Sequence, residues 1–150
     1  MRRTSSIEIG KAGEFRVVSE ILKRGGDVYL PAADTRGVDA IVRKKDGSFL
    51  EVQIKTHSTD YMANWFDVYD VDQYETDRFV IIGVNMLAEP PEIWIFPAET
   101  FMDYSTCSSV SDGSNLYRLD LEARSRKHGN QMRREILEPD YLNAWHILIG

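Results

Sequence analysis

Glu51, Gln53 and Lys55 occupy alternate positions of the apolar stretch SFLEVQIK, and Asp39 stands twelve to sixteen residues upstream of them in GVDAIV. A period of two places the three on one side of a strand whose other side is Leu50, Val52 and Ile54. A half-buried strand usually carries one or two polar residues on its open face. A row of acid, amide and amine, with a second acid near it, exceeds that. The arrangement reads as a metal site in which carboxylate and amide oxygens bind a hard divalent cation.

Two apolar alternations meet at a turn and set how Asp39 stands to this row. Val38, Ala40 and Val42 alternate before the turn signal KKDG, and Leu50, Val52 and Ile54 alternate after it. Both sets must face one core. Opposed residues of an antiparallel pair point to the same side, so the loop holds an odd number of residues, most simply Lys45, Asp46 and Gly47, with Gly47 at positive φ. This register opposes Val42 to Leu50, Ala40 to Val52 and Val38 to Ile54. On the other face it opposes Ile41 to Glu51, Asp39 to Gln53 and Gly37 to Lys55. Opposed Cβ atoms lie roughly 5 Å apart and hard cations take oxygen ligands at about 2.0 to 2.6 Å, so one ion can bridge the Asp39 carboxylate and the Gln53 amide oxygen.

The elements that must position these groups follow from the rest of the chain. With 150 residues and 43% hydrophobic content it suits one domain, 1–150, with a proper core. Residues 7–23 read as a first helix, with Phe15, Val18, Ile21 and Leu22 at helical spacing and Gly25 and Gly26 as its stop. Strands are expected at 27–30, 65–69, 79–84, 92–96 and 116–121, a short helix or turn at 70–75, a short helix at 97–102 and a closing helix at 139–148. The order makes an α/β fold, a mixed β-sheet with a leading helix. Glu14 shares the turn-to-turn stripe of Val17, Val18 and Ile21, and Gly10 and Gly13 beside it would let the helix approach the sheet closely. At the edge of that stripe Glu14 either favours the helix start or meets a partner from the hairpin.

Charge bounds the partners. The net charge is −6, but residues 1–57 carry +3, residues 58–115 carry −10 and the remainder +1. A phosphate-tracking surface would therefore be built from Arg2, Arg3, Lys11, Arg43, Lys44 and Lys45, joined by Arg124, Arg126 and Lys127. Taken singly, these are also ordinary solvated charges. Cys107 is the single cysteine, and His57, His128 and His146 are too scattered to make a zinc site with it, so a reducing, cytoplasmic setting is expected. The longest apolar run, 79–84, is far below a bilayer span, and no membrane partner is expected. Trp65, Phe66, Trp94 and Phe96 read as core. Trp145, Ile147, Leu148 and Ile149 form an apolar patch suited to a subunit interface, hence a homo-oligomer, dimer or tetramer.

KAGEF in the first helix, GVDAIV after a short strand and EVQIKT on the next strand, in that order and at that spacing, resemble the PD-(D/E)XK nuclease superfamily, the restriction-endonuclease-like fold. The variant is the one in which Gln stands for the acid of the D/E-x-K element, as in a cyanobacterial intron-encoded homing endonuclease. The resemblance covers about residues 8–57 well and the following strands loosely. Gly37 and Val38 stand where the family name has Pro, and Gln53 replaces a charged ligand. The resemblance implies a metal-dependent nuclease acting on a DNA duplex or junction, of homing, restriction or resolvase type, with Mg²⁺ or Mn²⁺ as cofactor. It implies Asp39 as direct metal ligand and Gln53 as a neutral oxygen ligand. Glu14 would be the second carboxylate, and Lys55 would orient or deprotonate the attacking water or stabilise the phosphorane. Glu51 is either a spare ligand or, as favoured here, a salt-bridge partner of Arg43 or Lys55. His57 and Tyr61 follow the site as DNA contacts or exposed loop residues. The competing reading is a catalytically inactive nuclease-fold module that binds nucleic acid or a protein partner; singly, Asp39 would cap a turn and Lys55 snorkel at a strand end.

Overall fold

The structure, a computed structural model, describes residues 2–33, 37–57 and 64–150. In chain order the elements are α1 Ser6–Lys23, β1 Asp27–Tyr29, β2 Ala40–Arg43, β3 Phe49–His57, β4 Trp65–Tyr69, a 3-10 turn Val71–Gln73, β5 Phe79–Asn85, β6 Glu92–Pro97 and α2 Ala98–Tyr104. They continue with β7 Thr106–Ser109, β8 Asn115–Asp120, β9 Arg124–Ser125, β10 Gln131–Met132, α3 Arg133–Tyr141 and α4 His146–Ile149.

Ser5 starts α1 by a reciprocal cap: its hydroxyl accepts from the Glu8 N–H at 3.3 Å, and the Glu8 carboxylate accepts from the Ser5 N–H at 2.9 Å. Gly25, at φ +78°, ends the helix as expected. The buried stripe is Gly13, Val17 and Ile21. Of the apolar residues read at helical spacing, Ile21 is buried, whereas Phe15 and Leu22 are 64% and 57% exposed, because they fall on the side of the helix turned away from the sheet. Of the two glycines expected to admit close approach, only Gly13 does so: a β-carbon there would lie 1.9 Å from Thr56 Oγ1, whereas nothing lies within 4 Å of one at Gly10.

The main sheet has the order β1-β2-β3-β5-β6, with β3 and β5 parallel and the other neighbours antiparallel. It is the middle of three layers. Val52, Ile54, Val80, Ile82 and Val84 pack on one face against Val17 and Ile21 of α1 and Leu148 of α4. Phe79, Ile81, Trp94 and Phe96 pack on the other face against Phe66 and Val68 of β4, Phe101 of α2 and Leu137 of α3. The mixed α/β architecture with a leading helix is the one expected, and Phe66, Trp94 and Phe96 are core.

Three expectations change. The strands expected at 65–69 and 116–121 leave the main sheet and pair with each other and with β7, unread in the sequence, in a second sheet of order β4-β8-β7. The closing helix is two helices: α3 begins at Arg133, ahead of Pro139, and Asn143 at φ +54° breaks the chain before α4. Trp145 is 8% exposed and Leu148 0%, so the apolar C-terminal patch expected at a subunit interface is largely spent inside the chain. Among the described residues no helix is long and apolar enough to cross a membrane.

The β2–β3 hairpin has the expected register. Ala40 opposes Val52, Ile41 opposes Glu51 and Val42 opposes Leu50. The Lys44 N–H donates to Ser48 O at 2.8 Å around a three-residue loop with Gly47 at φ +86°.

Candidate active site

The ladder between β2 and β3 ends at Ala40, leaving residues 53–57 of β3 without a strand partner on that side. There the Asp39 N–H donates to Val52 O at 2.8 Å, and Asp39 Oδ2 accepts from the Ile54 N–H at 2.7 Å. The carboxylate stands in for a strand carbonyl. The direct oppositions expected for Asp39 with Gln53, Val38 with Ile54 and Gly37 with Lys55 therefore give way to a splayed strand end. Gly37 at φ +68° turns the chain, and Val38 lines a cleft instead of the core.

That cleft, of about 930 Å³, lies over the part of the main sheet that the second sheet leaves uncovered. Gln53, Lys55 and Glu51 form its floor, with Gly37 and Val38 on one side and Asp70 and Tyr74 on the other. Gln53 is 9% exposed, and its Oε1 accepts no hydrogen bond from a described residue. A buried amide oxygen left without a donor costs about 1–3 kcal/mol, so its retention calls for a cause. Lys55 is half-buried on the same floor. A β-carbon at Gly37 would lie 2.7 Å from Gln53 Nε2 and 2.8 Å from the Tyr74 hydroxyl oxygen, so only glycine leaves room for both. The Tyr74 ring stacks on Phe79 at 4.0 Å and 7°. Burial raises the Tyr74 pKa, and the Glu51, Asp70 and Asp39 carboxylates add to the shift, so the phenol stays protonated and can donate.

Among the described residues no three His, Cys, Asp or Glu side chains cluster as they would to hold a metal ion. An ion here would depend on the amide oxygen. Gln53 lines the cleft with a buried Oε1 that has no hydrogen-bond partner among the described residues, and the Asp39 carboxylate accepts from the N–H of the next residue of the strand, Ile54; both are hard oxygen donors of the kind that suits a hard divalent cation.

Other residues singled out in the sequence lie elsewhere. Glu14 is on α1, which packs against the opposite face of the sheet from Gln53, and pairs with Lys11 at 2.9 Å. Gly13 beside it meets Thr56, the residue after Lys55, so Glu14 stands close to the splayed strand end but across the sheet from the cleft floor. Glu51 is exposed where it lines the cleft, and among the described residues the ion pairs expected with Arg43 or Lys55 do not form. His57 is neither an exposed loop residue nor surface-facing. It is 5% exposed, stacked on Phe66 at 4.5 Å, with its pKa lowered by burial to about 4 against an opposing pull from Asp67. Arg43, Lys44 and Lys45 line a separate hollow of about 210 Å³ with Gly25, Gly26 and Ile149 at the hairpin turn, away from the cleft. Tyr61 lies outside the described residues. Tyr74 had no role in the sequence, and Gly37 only a place opposite Lys55; a glycine two residues before Asp39 was the available signal.

No protein-family model matches the chain, and no curated protein matches it. Among solved structures, that of a bacterial homing endonuclease, I-Ssp6803I, is similar with a TM-score of 0.61. The two are 20% identical, and the match covers 97% of this chain and 94% of the other. The likeness establishes the shared fold.

Proposed function

We propose that the chain is a metal-dependent endonuclease that hydrolyses DNA phosphodiester bonds, built on the PD-(D/E)XK plan with Gln53 in the second ligand position. The observation that carries the reading is the buried, unpartnered Gln53 Oε1 beside Lys55 on the floor of an open cleft. The fold shared with a homing endonuclease supports it.

Asp39 and Gln53 would hold Mg²⁺ or Mn²⁺, and Glu14, which lies across the sheet from the cleft floor, would join them only by reaching past the end of β3 that β2 leaves unpaired. When bound, the ion neutralises phosphate charge and makes its water a better nucleophile. Lys55 Nζ orients the attacking water and stabilises the negative charge that gathers on the phosphoryl oxygens as the new P–O bond forms and the bond to the leaving oxygen breaks. Glu14 must first give up Lys11, an exposed contact of the kind worth only about 0.2–1 kcal/mol. Gln53 supplies no charge, so divalent affinity is weaker than with an acid at this position.

Purified protein incubated with supercoiled plasmid and Mg²⁺ or Mn²⁺ tests the reading. The wild type nicks the plasmid, and Asp39→Ala and Lys55→Ala slow nicking at least a hundredfold. If all three proteins nick at one rate, the inactive binding module is the better description.

A further inference from the structure

We propose that the Gln53 side-chain NH₂ and the Tyr74 hydroxyl form a phosphate-binding pair, donating to the non-bridging oxygens of the scissile phosphate. The proposal rests on the nuclease reading and gives the amide at position 53 a task that an acid could not perform.

The two groups close over Gly37. Each lies within 2.8 Å of the point a β-carbon would occupy, so they are at most about 5.5 Å apart, a spacing that lets one phosphate accept from both. Tyr74 is held in place. The Tyr74 ring is held flat on Phe79, itself 1% exposed. The turn that carries Tyr74 is tied to β8, with the Asn115 N–H donating to Asp70 Oδ1 and the Asp70 N–H donating to Asn115 O, each at 2.8 Å. The amide can thus work at both ends, its unpartnered Oε1 toward a cation and its Nε2 toward the phosphate. A carboxylate here would keep the first contact and repel the phosphate at the second. Glycine at position 37 is part of the same device, because any side chain would drive the two donors apart.

Tyr74→Phe and Gln53→Glu separate the claims, read by plasmid nicking with Mn²⁺, calorimetric Mn²⁺ binding and thermal melting. Tyr74→Phe keeps the ring on Phe79. It should lower kcat/KM about ten- to hundredfold, the range for a hydrogen bond to a charged group, with Mn²⁺ affinity and Tm unchanged. Gln53→Glu should bind Mn²⁺ at least as tightly as the wild type and still nick more slowly. A Tyr74→Phe protein that nicks at the wild-type rate while Asp39→Ala is inactive overturns the pair and leaves the nuclease reading standing, as does a Gln53→Glu protein faster than the wild type. A wild type that neither nicks nor binds Mn²⁺ more tightly than Asp39→Ala overturns both.

Discussion

A fold that buries an amide oxygen without a donor gives up stability at that atom, and among the described residues Gln53 Oε1 has no donor although its side chain lines the cleft. His57, two residues beyond Lys55 on the same strand face, is the contrasting case of burial with a stability consequence. Its folded pKa of about 4 lies below the ordinary value near 6.5, so between these two values the unfolded chain binds a proton that the folded chain refuses. Stability is then full above about pH 6.5 and declines as pH falls toward 4, by roughly 3 kcal/mol in all. Urea titrations at pH 7.5, 6.5, 5.5 and 4.5 should show this slope in the wild type and a shallower one in His57→Leu; identical slopes would remove His57 as the cause. The row Glu51, Gln53, Lys55 was legible because a period of two needs only neighbours in sequence. Tyr74 was not, since its meeting with Gly37 is a tertiary contact across the strand β3, and the burial of His57 depends on Phe66 arriving from another sheet.

At the level of elements, the seam between α1 and β3 decides how the opening helix stands to the site. Gly13 permits it, because Thr56 fills the space of the missing β-carbon. Gly13→Ala should cost about 1–3 kcal/mol through overpacking, and Thr56→Gly in the same chain should recover most of that. Gly10→Ala, with open space around the added methyl, should stabilise by about 0.5–1 kcal/mol. Equal effects at both glycines in denaturant unfolding would contradict this packing. The hairpin register was readable from two alternations and a turn, whereas its splayed end was not: an Asp39 carboxylate accepting from the Ile54 N–H leaves no mark on hydrophobic periodicity. The strands near 65–69 and 116–121 were likewise recognisable as strands but not as members of a second sheet. Alternation says that a strand has two faces, not which sheet it joins.

For the whole molecule, three layers leave one part of the central sheet bare, and that bare part is the cleft. The second sheet covers β5 and β6, while β1, β2 and the open face of β3 stay uncovered beside Tyr74 and Asp70. The uneven charge seen in the sequence is only partly reflected there, since Arg43, Lys44 and Lys45 gather at the hairpin turn and not at the cleft. Nucleic acid approaching the cleft would meet Lys55 and Arg78 against Glu51, Asp70 and Glu75, a mixed field in which the proposed cation would supply the missing positive charge. The most direct test of the account is a crystal of the protein soaked in Mn²⁺ and measured for anomalous scattering. A peak is expected at about 2.0–2.6 Å from both Gln53 Oε1 and an Asp39 carboxylate oxygen; a cleft without a peak, or a peak that Gln53 Oε1 does not coordinate, would rule the proposed metal site out.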